Sequence, residues 1–171
     1  MTSPLPTPPF EDFVEARGAS LLRSAWLLTG DRQKAEDLVQ TALAKAWAHW
    51  GTIGRDGTGS HSAYVHRVMV TTYAAWWRRK WNAEQPYGDV PEPGQTRDEV
   101  IDLRRDLLTA LASLPRGQRA VVVLRYFDDL TEAQTAHVLD CSIGTVKSQT
   151  ARALAVLRRS PLLSDAEAGD A

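Results

Sequence analysis

Apolar residues recur every three or four positions through most of this chain, which is the spacing that predicts amphipathic helices. No stretch keeps the apolar–polar alternation of a strand, and no internal repeat is visible. The expected helices cover residues 10–29, 32–50, 62–82, 99–113, 116–127, 131–139 and 143–159. The pattern therefore predicts an all-α fold.

Proline and glycine separate these helices into two groups. Residues 82–99 hold three prolines and two glycines among acidic side chains, which is typical of a flexible linker. Residues 1–9 hold four prolines. We expect a disordered N-terminus (1–9), a helical domain (10–82), an acidic linker (83–99), a second helical domain (100–160) and a disordered acidic tail (161–171).

Residues 130–159 contain the most specific pattern, two short helices separated by the tight turn Asp140-Cys141-Ser142. Thr131 followed by Gln134 predicts a capping box for the first helix, and Ser142 is the expected N-cap of the second. The expected buried positions are Ala133, Ala136 and Val138 or Leu139, then Ile143, Val146, Thr150, Ala153, Leu154 and Leu157.

The second of these helices leaves a face of small, polar and cationic side chains. Such groups near the start of a recognition helix reach phosphates and base edges in the DNA major groove. The pattern therefore favours a DNA-binding helix-turn-helix over an ordinary helical hairpin with a solvated face. The candidate contacts are Thr145, Lys147, Ser148, Gln149 and Arg152.

Charge is distributed in blocks along the chain. The whole sequence carries 20 Lys and Arg against 21 Asp and Glu, a net charge of −1 that by itself argues against a nucleic-acid partner. Residues 61–82, however, hold three arginines and a lysine and no acid, whereas residues 84–106 and the tail are acidic. The average therefore does not exclude nucleic-acid binding.

The basic block coincides with a helix rich in aromatic side chains, AYVHRVMVTTYAAWWRRKW (63–81). Aromatic rings stack on unpaired bases while cations hold the backbone, so the helix as a whole favours a polyanionic partner. Each single aromatic residue remains open to the alternative of core packing, as for Trp76 and Trp81.

Composition excludes several other classes of function. The single Cys141 forms no internal disulfide, and the four histidines lack metal-ligand spacing. No apolar run approaches the roughly 18 residues of a membrane span, and the N-terminus lacks signal-peptide order. No motif supplies a nucleophile or an acid–base pair. We expect a cytoplasmic protein that is not an enzyme, with no cofactor, metal or membrane insertion.

Four stretches in this order resemble the extracytoplasmic-function sigma factors, the small two-domain class of the sigma-70 family of bacterial RNA polymerase specificity subunits. They are DRQKAEDLVQTALAKAW (31–47), SAYVHRVMVTTYAAWWRRK (62–80), LPRGQRAVVVLRYFDDLT (114–131) and CSIGTVKSQTARALAVLR (141–158). The tryptophans of the second stretch indicate an actinobacterial, sigma-E-like branch. Many members have Asn where Thr71 stands and Arg where Gln149 stands.

The resemblance implies promoter-specific transcription initiation with core RNA polymerase (β′ clamp and β flap), promoter DNA and an anti-sigma factor as partners. The 31–47 helix would bind the clamp, and the loop 51–61 and helix 64–80 would capture a −10 base flipped out of the non-template strand. The 141–158 helix would read the −35 element. The implied polymerase contacts are Asp37, Leu38, Gln40, Lys45 and Trp47. The implied −10 residues are Tyr64, Arg67, Thr71, Trp77, Arg78, Arg79 and Lys80, and Arg119 and Arg125 would hold phosphates.

Two other hypotheses remain open from the sequence. A helix-turn-helix repressor or response regulator would bind its operator tightly alone, usually as a dimer. A helical adaptor would bind only proteins. The basic aromatic helix favours the sigma factor over the repressor, since a repressor has no need of a surface for melted DNA.

Overall fold

The computed structural model describes residues 7–54, 60–82 and 99–161, apart from the side chains of residues 77, 79–82 and 99–103. These residues form seven α-helices and one π-helical segment, and no strand occurs among them, which confirms the all-α prediction. The elements are α1 (Phe10–Thr29), α2 (Arg32–Ala48), α3 (His61–Asn82), α4 (Glu99–Ala112), α5 (Arg116–Val122), the π-helical segment (Val123–Phe127), α6 (Glu132–Leu139) and α7 (Ile143–Arg158). Most of the predicted linker and tail lies outside the described residues.

The junction between α1 and α2 follows its sequence signals. Gly30 ends α1 in the left-handed conformation (φ 70°), which glycine adopts without steric cost, and its N–H donates to the Trp26 carbonyl. The Asp31 carboxylate then accepts a 2.9 Å hydrogen bond from the Lys34 amide as the N-cap of α2. Both predicted boundaries are confirmed.

The predicted helix over residues 116–127 changes type part-way. After α5 the backbone continues as the π-helical segment, and the Asp128 amide donates to the Val123 carbonyl, five residues earlier. The Leu130 amide donates to the Leu124 carbonyl, six residues earlier, at 3.0 Å. A single π turn of this kind shifts the face on which the following side chains emerge. It places Asp128 against the first helices of the chain.

The first half of the molecule consists of three amphipathic helices, α1–α3, which pack against one another. The helices α1 and α2 pack together, and α2 packs on α3. Their shared core contains Leu21, Leu28, Leu38, Val65 and Met69, each at most 1% exposed. Burial of such side chains is worth roughly 1.5–3 kcal/mol each and stabilises all three helices.

The second half, α4–α7, docks on the first. The core of α1–α3 continues without interruption into apolar side chains of the second half, among them Leu111, Leu114 and Ala120. The helix α6 packs against α3, and the π-helical segment packs against α1. The two halves, separated in sequence by a linker, therefore meet across one apolar core.

The segment before α1 is held by aromatic side chains. The Trp50 indole donates a 2.7 Å hydrogen bond to the Pro8 carbonyl, and the Phe10 ring lies 5.0 Å from the rings of both Trp47 and Trp50. Pro8 is therefore tied to Trp50, which lies in the turn that follows α2. Residues 1–6 lie outside the described residues.

We expect Leu28→Ala to lower the free energy of unfolding by about 2–5 kcal/mol, because it removes a side chain that is 1% exposed and leaves a cavity in the shared core. Urea denaturation measures the change. Leu22→Ala, which truncates a side chain 37% exposed on the same helix, serves as the control and should cost much less. Equal losses in the two variants would contradict the position of the core.

Candidate nucleic-acid interface

The helices α6 and α7 form a helix-turn-helix whose ends are capped by side chains. Thr131 accepts from the Gln134 amide at 3.1 Å, and the Gln134 side chain accepts from the Thr131 amide at 2.9 Å, which confirms the capping box. Asp140 ends α6 in the left-handed conformation. Ser142 then accepts from the Thr145 amide at 3.0 Å as the N-cap of α7, as predicted.

The interior of this unit is small. Val146 and Ala153 of α7 are completely buried, and Val146 packs with Val121 of α5 and Ala136 of α6 in a second apolar cluster. Two of the predicted core positions are exposed instead. Ala133 faces solvent, and Ile143 is 45% exposed because it opens the first turn of α7, before the helix reaches its neighbours.

The opposite face of α7 is open to solvent. Thr145, Lys147, Ser148 and Arg152 are exposed, and Gln149 is half-buried beside Gly117 at the start of α5. The Thr145 hydroxyl lies 2.9 Å from the Ser142 hydroxyl, so the cap also fixes its position. Four of the five candidate side chains are therefore accessible, as a helix that enters the major groove requires.

An acidic side chain lies beside this surface. Glu132 is the first residue of α6. One oxygen of the Glu132 carboxylate is 3.9 Å from the Lys147 ammonium, and the other Glu132 oxygen is 3.9 Å from the Arg125 guanidinium. Half-exposed pairs at this distance contribute little to stability. The carboxylate does lower the local positive potential, which reduces attraction to phosphates.

The two arginines with expected phosphate contacts occupy different environments. Arg125 is half-buried and donates to the Leu130 carbonyl at 2.7 Å. Arg119 is 7% exposed and donates through Nε to the Leu27 carbonyl of α1, also at 2.7 Å. Burial lowers the pKa of Arg119, and the charge of Tyr73 opposes part of that shift. In this arrangement Arg119 faces α1 and is withdrawn from solvent, so its phosphate role stays a prediction.

The basic aromatic helix α3 presents part of its candidate surface. Arg67, Thr71 and Arg78 are exposed and Tyr64 is half-buried against the core. The Thr71 hydroxyl donates to the Arg67 carbonyl of its own helix. The candidate side chains of Trp77, Arg79 and Lys80 lie outside the described residues.

Four of the five candidate polymerase contacts on α2 are accessible. Asp37, Gln40, Lys45 and Trp47 are exposed, and Trp47 is 59% exposed, the largest value among the exposed large apolar side chains of the described residues. Leu38 is 0% exposed because it faces α1 and α3 in the core. Its contribution is to hold the helix, and a partner cannot reach it in this arrangement.

Cys141 sits at the turn between α6 and α7. It is half-buried and packs against the small cluster around Val146, which agrees with the prediction of a small core residue. Burial raises the pKa of the Cys141 thiol, and the charge of the neighbouring Asp140 raises it further. A thiol with a raised pKa is less nucleophilic at neutral pH.

Within the described part of the chain, no group of three or more His, Cys, Asp or Glu side chains is arranged to hold a metal ion. No helix in that same part has the length and apolar character needed to cross a bilayer.

Two family models match separate parts of the chain. The sigma-70 region 2 family matches residues 13–83, and the sigma-70 region 4 family matches residues 104–157. The RNA polymerase sigma-E factor of Streptomyces coelicolor is 40% identical over 162 residues, covering 93% of this chain and 89% of that protein. The chain belongs to the extracytoplasmic-function sigma factors. It acts in promoter-specific transcription initiation.

More distant relatives extend the likeness. The extracytoplasmic-function sigma factor SigL of Mycobacterium tuberculosis is 34% identical over 152 residues, with 84% of each chain covered. The sigma factor RpoE of Bartonella quintana, solved in complex with the anti-sigma factor NepR, has a TM-score of 0.72 at 24% identity, covering 91% of this chain and 96% of that one. CnrH, solved with the cytosolic domain of CnrY, has a TM-score of 0.66 at 22% identity and covers 95% and 89%. These two structures share the fold.

Some contacts of this sigma factor carry no sequence signal. The approach of Asp128 to Ser24 and His66 joins residues more than 60 positions apart, and no local periodicity pairs them. The only hint is the acidic pair Asp128-Asp129 directly after an apolar helix. Contacts of this kind require the tertiary structure.

We expect Ser142→Ala to destabilise the second half of this sigma factor by about 1 kcal/mol, because the first turn of α7 loses its N-cap acceptor. Thermal unfolding measures the loss. Ser148→Ala is the matched control, since the Ser148 hydroxyl donates only to the Thr145 carbonyl within α7. A melting temperature equally lowered in both variants would count against the capping role.

Proposed function

We propose that α7 of this sigma factor reads the −35 element through Thr145, Lys147, Ser148, Gln149 and Arg152. The observation that carries the proposal is the two-sided character of α7, whose Val146 and Ala153 are fully buried while four of these five side chains are exposed. A helix anchored on one face and polar on the other enters the major groove as a rigid reader. Arg125, and Arg119 once it is released from α1, would hold adjacent phosphates.

The helix α3 is proposed to bind the −10 element on the non-template strand. Exposed Arg67 and Arg78 would hold the backbone, with Tyr64 and Thr71 along the same helix. Trp77, Arg79 and Lys80 belong to this proposal on sequence grounds. Flipping a base costs a few kcal/mol of stacking and pairing, which a base-specific pocket recovers. Separation of the promoter strands would then depend on the sequence of the −10 element.

The helix α2 is proposed to bind the β′ clamp of core RNA polymerase, with the second half reaching the β flap. Trp47 would form the centre of the contact, because it is 59% exposed on a helix that also exposes the polar side chains of Asp37, Gln40 and Lys45, and exposed aromatic side chains are common interface hot spots. Phe10 supports the Trp47 ring edge-to-face at 5.0 Å and so restricts its orientation.

The remaining proposals concern chemistry, partners and location. Polymerisation would belong to the polymerase core, and this chain would contribute recognition and melting without being an enzyme. An anti-sigma factor is a proposed partner, supported by the two structural relatives solved with such a partner or a cytosolic domain bound. We propose a cytoplasmic location, where core polymerase and DNA are found.

Run-off transcription tests the proposed function. Core polymerase with this sigma factor should initiate at specific genomic promoters, whereas the isolated protein should bind promoter DNA weakly. Absence of stimulation at every promoter would overturn the proposal. Tight operator binding by the isolated protein would instead support a helix-turn-helix repressor.

Arg152→Ala should weaken use of the −35 element by about 1–3 kcal/mol, if Arg152 contacts a base or a paired phosphate. Run-off transcription on promoters with an intact or a scrambled −35 element measures this effect. Arg158→Ala, at the far end of the same helix and also exposed, is the control. Unchanged promoter strength in Arg152→Ala would refute the assignment.

Trp47→Ala should weaken binding to core polymerase by about 2 kcal/mol, because a large exposed aromatic anchor is lost. Competition of labelled and unlabelled protein for core enzyme gives the affinity. Leu22→Ala removes another exposed apolar side chain, on α1, and should leave that affinity unchanged. If both variants bind like the wild type, the contact lies elsewhere than Trp47.

A further inference from the structure

The exposed ring of Trp47 on α2 packs against the first residue of α1. The centroids of the Phe10 and Trp47 rings lie 5.0 Å apart with 67° between their planes, which is a favourable edge-to-face contact. Trp47 is 59% exposed, whereas Phe10 is half-buried. A surface side chain loses rotamer freedom only where a fixed neighbour restricts it. The contact therefore restricts Trp47 as far as Phe10 is itself held in place.

The start of α1 has no side-chain cap of its own. Pro9 precedes the helix and makes no capping hydrogen bond through its side chain, and helix ends fray where such partners are missing. Trp50 supplies the anchor from outside the helix. Its indole N–H donates to the Pro8 carbonyl at 2.7 Å, and its ring meets the Phe10 ring at 5.0 Å and 86°. Phe10 is thus fixed by a residue that follows α2.

Trp50 is in turn held on several sides. It is 8% exposed, and its amide donates to the Trp47 carbonyl at 3.2 Å. The His61 ring at the start of α3 lies 4.2 Å from the Trp50 ring, and His61 Nε2 is 3.2 Å from the Trp50 carbonyl. The Phe13 ring packs at 5.0 Å. Trp50 therefore fixes the segment that carries Phe10, and Phe10 restricts the ring of Trp47.

We propose that Phe10 is a positioning residue for polymerase binding, which holds Trp47 in the orientation that core RNA polymerase binds. The inference rests on the proposed contact between Trp47 and core polymerase. A side chain that is ordered before association does not have to be ordered during it, so part of the entropic cost of binding is removed. The residues from Pro8 to Phe10 therefore influence polymerase affinity through the ring of Trp47.

Phe10→Leu in the full-length chain is the test. The substitution keeps an apolar side chain but removes the ring that meets Trp47. Affinity for core polymerase should fall about three- to tenfold, which is the cost of ordering one large side chain on binding. Competition of labelled and unlabelled protein for core enzyme measures the change. Phe10→Tyr retains the ring and should bind like the wild type.

Phe13→Leu is the matched control. It is the same substitution about one turn later on α1, where the ring packs against Trp50. Because Phe13 is 9% exposed, this variant should lose at least as much thermal stability as Phe10→Leu. Its affinity for core polymerase should stay unchanged, since Phe10 still packs against Trp47. An equal loss of affinity in both variants would trace the effect to general packing and overturn the positioning role.

A double-variant comparison shows whether Phe10 acts through Trp47. Phe10→Leu in a Trp47→Ala background should change polymerase affinity less than twofold, because the ring to be positioned is gone. A full effect in that background would contradict the inference. If Trp47→Ala weakens binding and Phe10→Leu does not, the inference fails and the proposed contact stands. If Trp47→Ala itself binds like the wild type, the proposed contact is refuted and the inference with it.

A second variant guards against loss of folding. If circular dichroism shows that Phe10→Leu has lost helix, Phe10→Met takes its place, because methionine fills irregular apolar space with a flexible side chain that has no ring. The same comparisons with Phe13→Leu and Trp47→Ala then decide. Wild-type affinity in Phe10→Met would overturn the positioning role.

Discussion

The C-terminal end of α1 is the point on which the arrangement of the whole molecule depends. A helix end leaves carbonyls without partners and carries partial negative charge, and the last turn of α1 contains no basic side chain of its own. Arg119, from the second half, donates to the Leu27 carbonyl there and lies beside the Gly30 cap, where a Cβ would come within 3.6 Å of its Nη2. A buried cation is stabilised by a helix end, and the helix end acquires its missing donor.

Two different requirements act on the arrangement that the contact between Arg119 and α1 helps to hold. The apolar core favours closure, because Leu111 and Leu114 of the second half bury their side chains against α1–α3. The proposed function requires accessible surfaces on both halves, because α3 and α7 are proposed to bind different promoter elements. The polar face of α7 is exposed in this arrangement, whereas Arg119 is buried. The packing of the two halves therefore buries one of the candidate DNA contacts and leaves those on α7 accessible.

Local signals in the sequence predicted local structure well. The caps formed by Asp31, Thr131 and Ser142 need only a side-chain oxygen two or three residues from an unpaired amide, so their spacing is sufficient to identify them. Periodicity predicted the helices but did not predict the π-helical segment. The spacing of apolar residues does not show whether an amide donates to the carbonyl four residues earlier or to the one five residues earlier. It also could not place Ile143, which has the right spacing for the core but lies in a first turn that reaches no neighbour.

The sequence by itself determined the helical class, the two groups of helices and the polar face of α7, because each follows from spacing within one segment. Residue roles that depend on contacts between segments were decided by the tertiary structure. Arg119 has the charge of a phosphate ligand, yet it is buried on α1, and Leu38 lies on a candidate interface helix, yet it faces the core. Asp128 is marked in the sequence only as part of an acidic pair after an apolar helix, yet it contacts Ser24 over a separation of 104 positions. Burial and partnership depend on how segments pack, and no local pattern specifies that packing.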